Sequence, residues 1–228
     1  MNSKAKIGVI ILISAAVIGL LYPILIGLPG QDENIIPRDA SKWHIGKGAE
    51  YNPIMHYDVT SADGVMFSVK IEFFNDITKK QMILAQIDDN ATGKKIDHKT
   101  SLSSAYTFEE VSGDATPYFQ VLDETIFAIR DVALEDKYLV KKAVWDTIFI
   151  GALTQNLVVT EHGKTSFAFG SVDAFTVSYN IGNKVNKFWI VDNLPLPVKA
   201  EVYDIDGNLQ YSYELISLLA PLTPGFSL

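Results

Sequence analysis

The hydrophobic positions of this chain follow two different patterns. Residues 7–28 form a run of 22 residues without a charged side chain, whereas apolar and polar residues alternate along much of the chain beyond residue 54. A helix of 22 residues measures about 33 Å at a rise of about 1.5 Å per residue, and the hydrocarbon core of a bilayer is about 30 Å thick. Residues 7–28 are therefore predicted to form a transmembrane helix.

A cleaved secretory signal is the alternative for the same segment. Such signals have a shorter apolar core and end at a small-residue cleavage site, but the small residues Ala15 and Ala16 lie in the middle of this run. We therefore expect a retained, single-pass anchor. Because Lys4 and Lys6 favour the cytoplasmic side, residues 1–6 are predicted to be cytoplasmic and the C-terminal part to lie outside the cell membrane.

Small residues recur along one side of the predicted anchor. Ala15, Gly19 and Gly27 are separated by multiples of four residues, so they fall on one stripe of a helix. Such a stripe lets a second transmembrane helix approach closely, which predicts contact with other membrane-protein subunits. Glycine is also common in spanning helices that have no partner, and this alternative stays open.

Period-two alternation dominates the exterior part and predicts β-strands, because successive side chains of a strand point to opposite faces. Phe67, Val69, Ile71 and Phe73 alternate with polar residues, and two further alternating segments flank the turn sequence DIDGN at 204–208. Together with shorter runs, about eight to ten strands are expected. That number suits a curled antiparallel sheet or an open barrel.

The chain between the anchor and the alternating segments has a different composition. Residues 29–53 contain several proline and glycine residues and show no sustained periodicity, so they are predicted to form a linker that becomes ordered near Trp43. Residues 54–228 are long enough for one well-buried domain and are rich in aliphatic and aromatic side chains. They are predicted to form a single exterior β-rich domain.

One segment has helical rather than strand periodicity. Apolar residues in the sequence TPYFQVLDETIFAIRDVAL recur at spacings of three and four up to Ala133, and they follow Thr116, a candidate N-cap, and Pro117 in the first turn. An amphipathic helix is predicted here, placed to cover one face of the sheet. The sequence at 135–150 is compatible with either a helix or a strand. The predicted fold class is thus mainly β, with one or two covering helices.

Composition narrows the possible functions. The sequence contains no cysteine, which excludes disulfides, cysteine-zinc sites and thiol catalysis. All 27 acidic residues and all basic residues except Lys4 and Lys6 lie beyond residue 28, so the exterior part carries a net charge of −10. A protein that binds nucleic acid needs a basic face, so nucleic acid is not an expected partner, whereas the membrane is.

Candidate chemical sites are few. Asp88, Asn90 and Thr92 match the first positions of a calcium-binding loop, but Lys99 occupies the position of the required glutamate, and a polar turn explains the same residues. Asn90 also begins an Asn-Ala-Thr glycosylation motif. The four histidines are widely spaced, and no catalytic or cofactor-binding motif is present. No metal, no cofactor and no enzymatic activity are predicted.

The C-terminal part carries a resemblance to known families. The run NKFWIVDNLPLPVKAEVYDIDGNLQYSYEL, with GSVDAFTVSYNIG before it, resembles uncharacterised, single-span exported proteins of ammonia-oxidising archaea. This resemblance covers most of the exterior domain and implies no particular activity. The pattern from Trp189 to Gly207 is also similar to a strand-turn-strand motif of LolA-like lipoprotein carriers. That similarity covers about the last 50 residues and implies a half-barrel with helices over an acyl-chain groove.

Three functional hypotheses follow. The first is a membrane-anchored extracytoplasmic binding or interaction domain without catalytic activity. The second is an accessory subunit of a multi-subunit membrane complex, such as a membrane oxidoreductase, which uses the small-residue stripe as its contact. The third is a domain that binds a lipid or another apolar ligand between the sheet and its helices, because aromatic residues are concentrated late in the chain; the same residues also suit an ordinary β-rich core.

Overall fold

The computed structural model of this chain describes residues 36–150 and 153–219. Within these residues, no helix is long and apolar enough to cross a bilayer. The predicted anchor at 7–28 and its stripe of Ala15, Gly19 and Gly27 lie outside the described residues, as do the predicted cytoplasmic residues 1–6. The described chain from Ile36 onward belongs to one compact unit.

The described residues contain twelve strands and two α-helices. The strands are β1 (Lys42–Trp43), β2 (Ile54–Ser61), β3 (Met66–Asn75), β4 (Gln81–Asp89), β5 (Lys94–Ser101), β6 (Lys137–Tyr138), β7 (Val144–Ile150), β8 (Leu153–Phe167), β9 (Gly170–Ile181), β10 (Lys184–Ile190), β11 (Lys199–Tyr203) and β12 (Leu209–Leu219). The helices are α1 (Thr116–Glu124) and α2 (Arg130–Ala133), and short 3-10 turns lie at Ala49–Tyr51 and Gly113–Ala115.

Ten of the described strands form one sheet in the order β5-β4-β3-β2-β12-β11-β10-β9-β8-β7, and every neighbouring pair is antiparallel. The outermost strands, β5 and β7, do not pair with each other, so the sheet stays open. Strands β1 and β6 form a separate two-stranded sheet. The predicted mainly β fold with a large antiparallel sheet is confirmed.

The sheet has one apolar face, which we call the inner face. Phe67, Val69, Ile71 and Phe73 of β3 are all buried, while the residues between them are partly exposed, as the period-two pattern predicts. The same alternation places Met55, Tyr57 and Val59 of β2 and Tyr213 and Leu215 of β12 on the inner face. Burying this face is what requires the rest of the chain to fold over it.

Four of the hairpin turns lie at the same end of the sheet, which we call the turn end. They connect β2 with β3, β4 with β5, β9 with β10 and β11 with β12. The turn at 204–208 shows why the sequence turns there: Gly207 has a φ of 86°, which suits glycine, and the Asp204 carboxylate accepts a hydrogen bond from the Asn208 N–H at 2.8 Å.

The predicted helix is confirmed in position, but its predicted extent is wrong. Helix α1 ends at Glu124, and Thr125 adopts φ −120° and ψ −88° before the chain reaches α2. Ala115, not Thr116, stands at the N-cap and forms no side-chain cap. The break has a packing reason: Phe127 is fully buried, yet a continuous helix would turn it about 80 to 160° away from the stripe that includes Leu122.

The inner face is covered by aromatic contacts from the α1 region. Tyr118 of α1 packs edge-on against Phe67 of β3, with ring centroids 5.3 Å apart. Phe108 packs edge-on against both Phe119 and Phe127, at 4.8 Å in each case. Arg130 of α2 then ties the two helices together through a bidentate ion pair with Asp123, at 2.7 and 2.8 Å. The helices therefore pack as a single cover.

The chain before residue 54 also contributes to the core. Trp43 is fully buried and stacks on Trp145 of β7, with ring centroids 5.7 Å apart, and its indole N–H donates to the Leu194 carbonyl at 2.8 Å. Ile45 is fully buried as well. The folded unit therefore includes the described part of the predicted linker, residues 36–53. The sequence at 135–150, left open between helix and strand, forms β6 and β7.

The Trp43 contact generates a stability prediction. We expect Trp43→Ala to lower the free energy of unfolding by about 3–5 kcal/mol, because it removes a buried aromatic side chain, its ring stack and a long-range hydrogen bond. Chemical denaturation of the full chain, followed by circular dichroism, measures this loss. Trp189→Ala is the matched control, since Trp189 is only partly buried and packs beside lysines. Equal losses for both variants would contradict the prediction.

Candidate functional site

The calcium-like string Asp88, Asn90 and Thr92 lies at the turn between β4 and β5. Asp88 pairs with Lys95 across the hairpin. The neighbouring Asp89 carboxylate accepts hydrogen bonds from the Ala91 and Thr92 N–H groups at 2.9 and 3.1 Å, which is the pattern of a polar turn. Within residues 36–150 and 153–219, no three His, Asp or Glu side chains converge in an arrangement that could hold a metal ion.

Asp89 connects this turn to the helical cover. Its side chain is 7% exposed, and the Tyr118 hydroxyl of α1 donates a hydrogen bond to it at 2.6 Å. The hydrogen bonds from Tyr118 and Thr92 lower the pKa of Asp89 to about 2. The calcium-like sequence pattern includes Asp88, but the neighbouring Asp89 forms more hydrogen bonds than Asp88 does.

The lowered pKa of Asp89 predicts acid-dependent stability. An aspartate in an unfolded chain has a pKa of about 3.9, so the stabilisation by Asp89 is complete above that pH and is lost as the pH falls toward about 2. Unfolding of the full chain between pH 6 and pH 2 tests this. We expect a weaker pH dependence in Asp89→Asn, and an intermediate one in Tyr118→Phe, which removes one donor. Superimposable profiles for wild type and Asp89→Asn would contradict the argument.

Asn90 is exposed in the same turn, where a modifying enzyme has access to its side chain. Its glycosylation stays a prediction. The intact mass of the protein purified from its natural source tests it, because a glycan adds a mass that the Asn90→Gln variant lacks. An unmodified wild-type mass would contradict it.

The four histidines do not form a common site. The His44 ring pairs with Asp136 at 3.0 Å, the His98 ring bonds to the Glu110 carbonyl at 3.0 Å, and the His162 ring stacks on Phe175 at 3.9 Å. His56 projects from β2 on the side opposite the inner face. Each histidine therefore has a local environment of its own, on a separate part of the fold.

A cleft of about 390 Å³ lies between helix α1 and the turn end of the sheet. We call it the turn-end cleft. Ser61, Val202 and Tyr211, from the ends of three neighbouring strands, form its floor, and Val121 and Thr125 of the α1 region form one wall. The register brings the floor together, because Ser61 of β2 lies directly opposite Tyr211 of β12.

Two buried hydroxyl groups of the inner face have no hydrogen-bond partner. Among the described residues, Ser61 Oγ and Tyr213 Oη are the buried side-chain oxygen or nitrogen atoms without one. Ser61 lines the turn-end cleft, whereas Tyr213 lies one inner-face position further along β12, opposite Val59, and is not a lining residue. A buried, unsatisfied polar group costs about 1–3 kcal/mol, so the hydroxyl of Ser61 at the cleft requires an explanation.

The tyrosines near the cleft remain protonated at physiological pH. The Tyr211 and Tyr213 rings are parallel, with centroids 6.3 Å apart. Burial raises the pKa of Tyr211, and the neighbouring Tyr179 and Asp131 raise it further. Burial also raises the pKa of Tyr213 well above its ordinary value. These groups therefore present neutral hydroxyls, which both donate and accept hydrogen bonds.

Exposed aliphatic side chains surround the turn end. Met66 is 59% exposed and Ile205 is 48% exposed, and both lie in or beside turns at this end. Val65, which lines the cleft, and Leu209, at the start of β12, are also exposed. The turn end thus combines polar groups inside a cleft with apolar groups around it, which is typical of a binding surface.

The space that an acyl-chain groove would occupy is filled by protein side chains. Leu122, Ile126, Phe127 and Ile129 of the helical cover are all at most 2% exposed and pack against the inner face. Phe175, one of the aromatic residues late in the chain, is also buried in this core. Most of the inner face is therefore ordinary protein interior, and the polar cleft lies at its end.

Sequence reasoning identified the turns at this end but did not identify the cleft. The strand-turn patterns predict where each hairpin reverses, yet Ser61 and Tyr211 are 150 positions apart and meet only through the pairing of β2 with β12. No single motif links them. Ser61 Oγ forms no hydrogen bond with a described group.

The comparisons with known proteins concern the fold alone. No family model and no curated protein sequence matches the chain. The structure is similar to the crystal structure of MucB, with 11% identity and a TM-score of 0.48; the alignment covers 78% of this chain and 56% of the MucB chain. It is also similar to an exported protein with a YmcC-like fold from Bacteroides fragilis, with 11% identity, a TM-score of 0.40 and coverage of 78% and 100%. Membership of the archaeal group stays a prediction.

Proposed function

We propose that this protein is an extracytoplasmic binding domain, anchored in the cell membrane by residues 7–28, that accommodates a ligand group in the turn-end cleft. The observation that carries the proposal is Ser61 Oγ, a buried hydroxyl of the cleft floor that has no hydrogen-bond partner among the described residues. A bound group with hydrogen-bonding atoms at this end explains why polar side chains stand where the rest of the inner face is apolar.

The sequence supports the proposed location of the domain outside the cell membrane. The uncharged run at 7–28 has the length of a membrane span, and Lys4 and Lys6 favour an exterior C-terminal part. A binding role suits a tethered domain, because an anchor holds the domain at the membrane. The buried side chains of the helical cover favour this role over the binding of a lipid chain along the inner face.

The cleft proposal is tested by filling the cleft. We expect Val121→Trp, in which an indole occupies the space beside the α1 wall, to abolish the binding of small organic fragments to the full chain in lipid nanodiscs. Saturation-transfer NMR with a fragment library measures this binding. Ile77→Trp is the matched control, because Ile77 is fully exposed in the turn between β3 and β4, at the opposite end of the sheet.

The two variants separate the possible outcomes. Fragments that bind the wild type and Ile77→Trp but not Val121→Trp support a ligand site in the cleft. Thermal unfolding of both variants confirms that each is folded. Binding that survives in a folded Val121→Trp, or the absence of any fragment that binds the wild type, would overturn the proposal.

A further inference from the structure

We infer that the group bound in the turn-end cleft is a primary ammonium carried on an aliphatic chain. This inference rests on the proposed function and specifies its ligand. Three features of the cleft support it: the sign of its charge, the hydrogen-bonding capacity of its floor and the apolar character of its walls.

The charge of the cleft is negative. Glu124, at the end of α1, and Asp63, in the turn between β2 and β3, are its charged lining residues, and none of the described lining residues is Lys, Arg or His. Both carboxylates are exposed, and neither forms an ion pair with a described residue. A cation is therefore attracted to this cleft and an anion is repelled.

Nearby basic groups do not neutralise these carboxylates. Arg130 is the cation of the adjacent helix α2, and its guanidinium is committed to the bidentate pair with Asp123. Its Nε also lies 3.7 Å from Asp131, the carboxylate whose charge raises the pKa of Tyr211. Arg130 therefore does not neutralise the negative potential at the cleft, and a bound cation can do so.

The floor offers hydrogen-bond acceptors that suit an ammonium. A primary ammonium has three N–H donors and no acceptor. Ser61 Oγ has no partner, and Tyr211, whose neutral hydroxyl can also accept, lines the same cleft. One carboxylate of the cleft lining gives a third acceptor, so the lining contains as many acceptor groups as an ammonium has donors.

The walls suit the aliphatic part of the ligand. Val65 and Val121 line the cleft beside its floor, to which Val202 belongs, and all three present methyl groups rather than polar atoms. An ammonium on a short alkyl chain places its charge at the hydroxyls and its methylenes against these valines, whereas a bare inorganic cation leaves the walls uncovered.

The test compares three probes of equal length: n-butylammonium, butan-1-ol and butyrate. Each is titrated into the full chain in nanodiscs at pH 7 and low salt, and the dissociation constant is measured by NMR shift changes of labelled protein. We expect n-butylammonium to bind at least fivefold more tightly than butan-1-ol, and butyrate to bind most weakly. We expect this preference to shrink severalfold in 0.5 M salt, because the rim carboxylates are screened.

A double variant isolates the charge. Asp63→Asn with Glu124→Gln keeps the size and polarity of both side chains, so we expect it to reduce the preference for n-butylammonium to less than twofold while butan-1-ol still binds. Asp39→Asn with Glu161→Gln removes the same charge from exposed positions elsewhere and serves as the control. We expect this control to retain the wild-type preference.

The outcomes for the two proposals differ. Equal binding of butan-1-ol and n-butylammonium, lost in Val121→Trp, overturns the ammonium inference and leaves the cleft proposal standing. If none of the three probes binds while library fragments still bind, the ammonium inference is likewise overturned and the cleft proposal stands. Failure of probes and fragments together overturns both.

A fourth probe identifies the source of the ammonium. Nα-acetyl-lysine N-methylamide carries the same ammonium on a peptide unit. Tighter binding of this probe than of n-butylammonium assigns the group to a lysine of a partner protein, and weaker binding assigns it to a free amine. Either result supports the ammonium inference, provided that the double variant weakens the binding of the tighter probe.

Discussion

The whole structure depends on the need to cover one apolar face of a wide antiparallel sheet. Ten described strands present their alternate side chains to the same side, and this inner face cannot remain in water. The strands leave little other chain to cover it: the segment between β5 and β7, the described residues before β2 and the loop between β10 and β11. Each of these segments therefore contributes fully buried side chains to one continuous core.

The requirement to cover the face explains the irregular parts of the fold. The α1–α2 segment breaks at Thr125 because a straight helix exposes Phe127, and burying that ring is worth more than one uninterrupted turn. Residues 36–53 pack against the domain through Trp43, whose ring stack reaches β7 and whose N–H reaches the loop after β10. In both places, the chain departs from regular secondary structure so that large apolar side chains are buried.

The parts of the structure that sequence reasoning anticipated are those determined by neighbours along the chain. Alternation over Phe67–Phe73 and the turn at 204–208 depend on local spacing, so the strands and hairpins were predictable. The helix break could not be predicted in this way, because helical periodicity identifies the residues of one helix face, and Phe127 does not belong to that face. The pairing of the first long strand with the last, which creates the cleft floor, depends on the register of the complete sheet.

The turn-end cleft lies where the cover stops short of the sheet. Helix α1 ends at Glu124, and the inner-face positions of β2 and β12 at this end carry Ser61 and Tyr211, whereas apolar residues such as Met55 and Leu215 lie further inside. Stability alone favours apolar residues at buried sites that lack hydrogen-bond partners: an alanine for Ser61 and a phenylalanine for Tyr213 remove an unsatisfied group without leaving a large cavity.

The hydroxyls therefore carry a cost in the unliganded fold that nothing in the described packing offsets. Under the proposed function, a ligand in the turn-end cleft supplies the missing partner of Ser61 Oγ, and the free energy of binding then includes the recovery of that cost. The same reasoning accounts for the contrast along the inner face. Where the cover is complete, the side chains are apolar and serve stability; where it ends, Ser61 and Tyr211 carry hydroxyls, which suit the proposed recognition of a ligand.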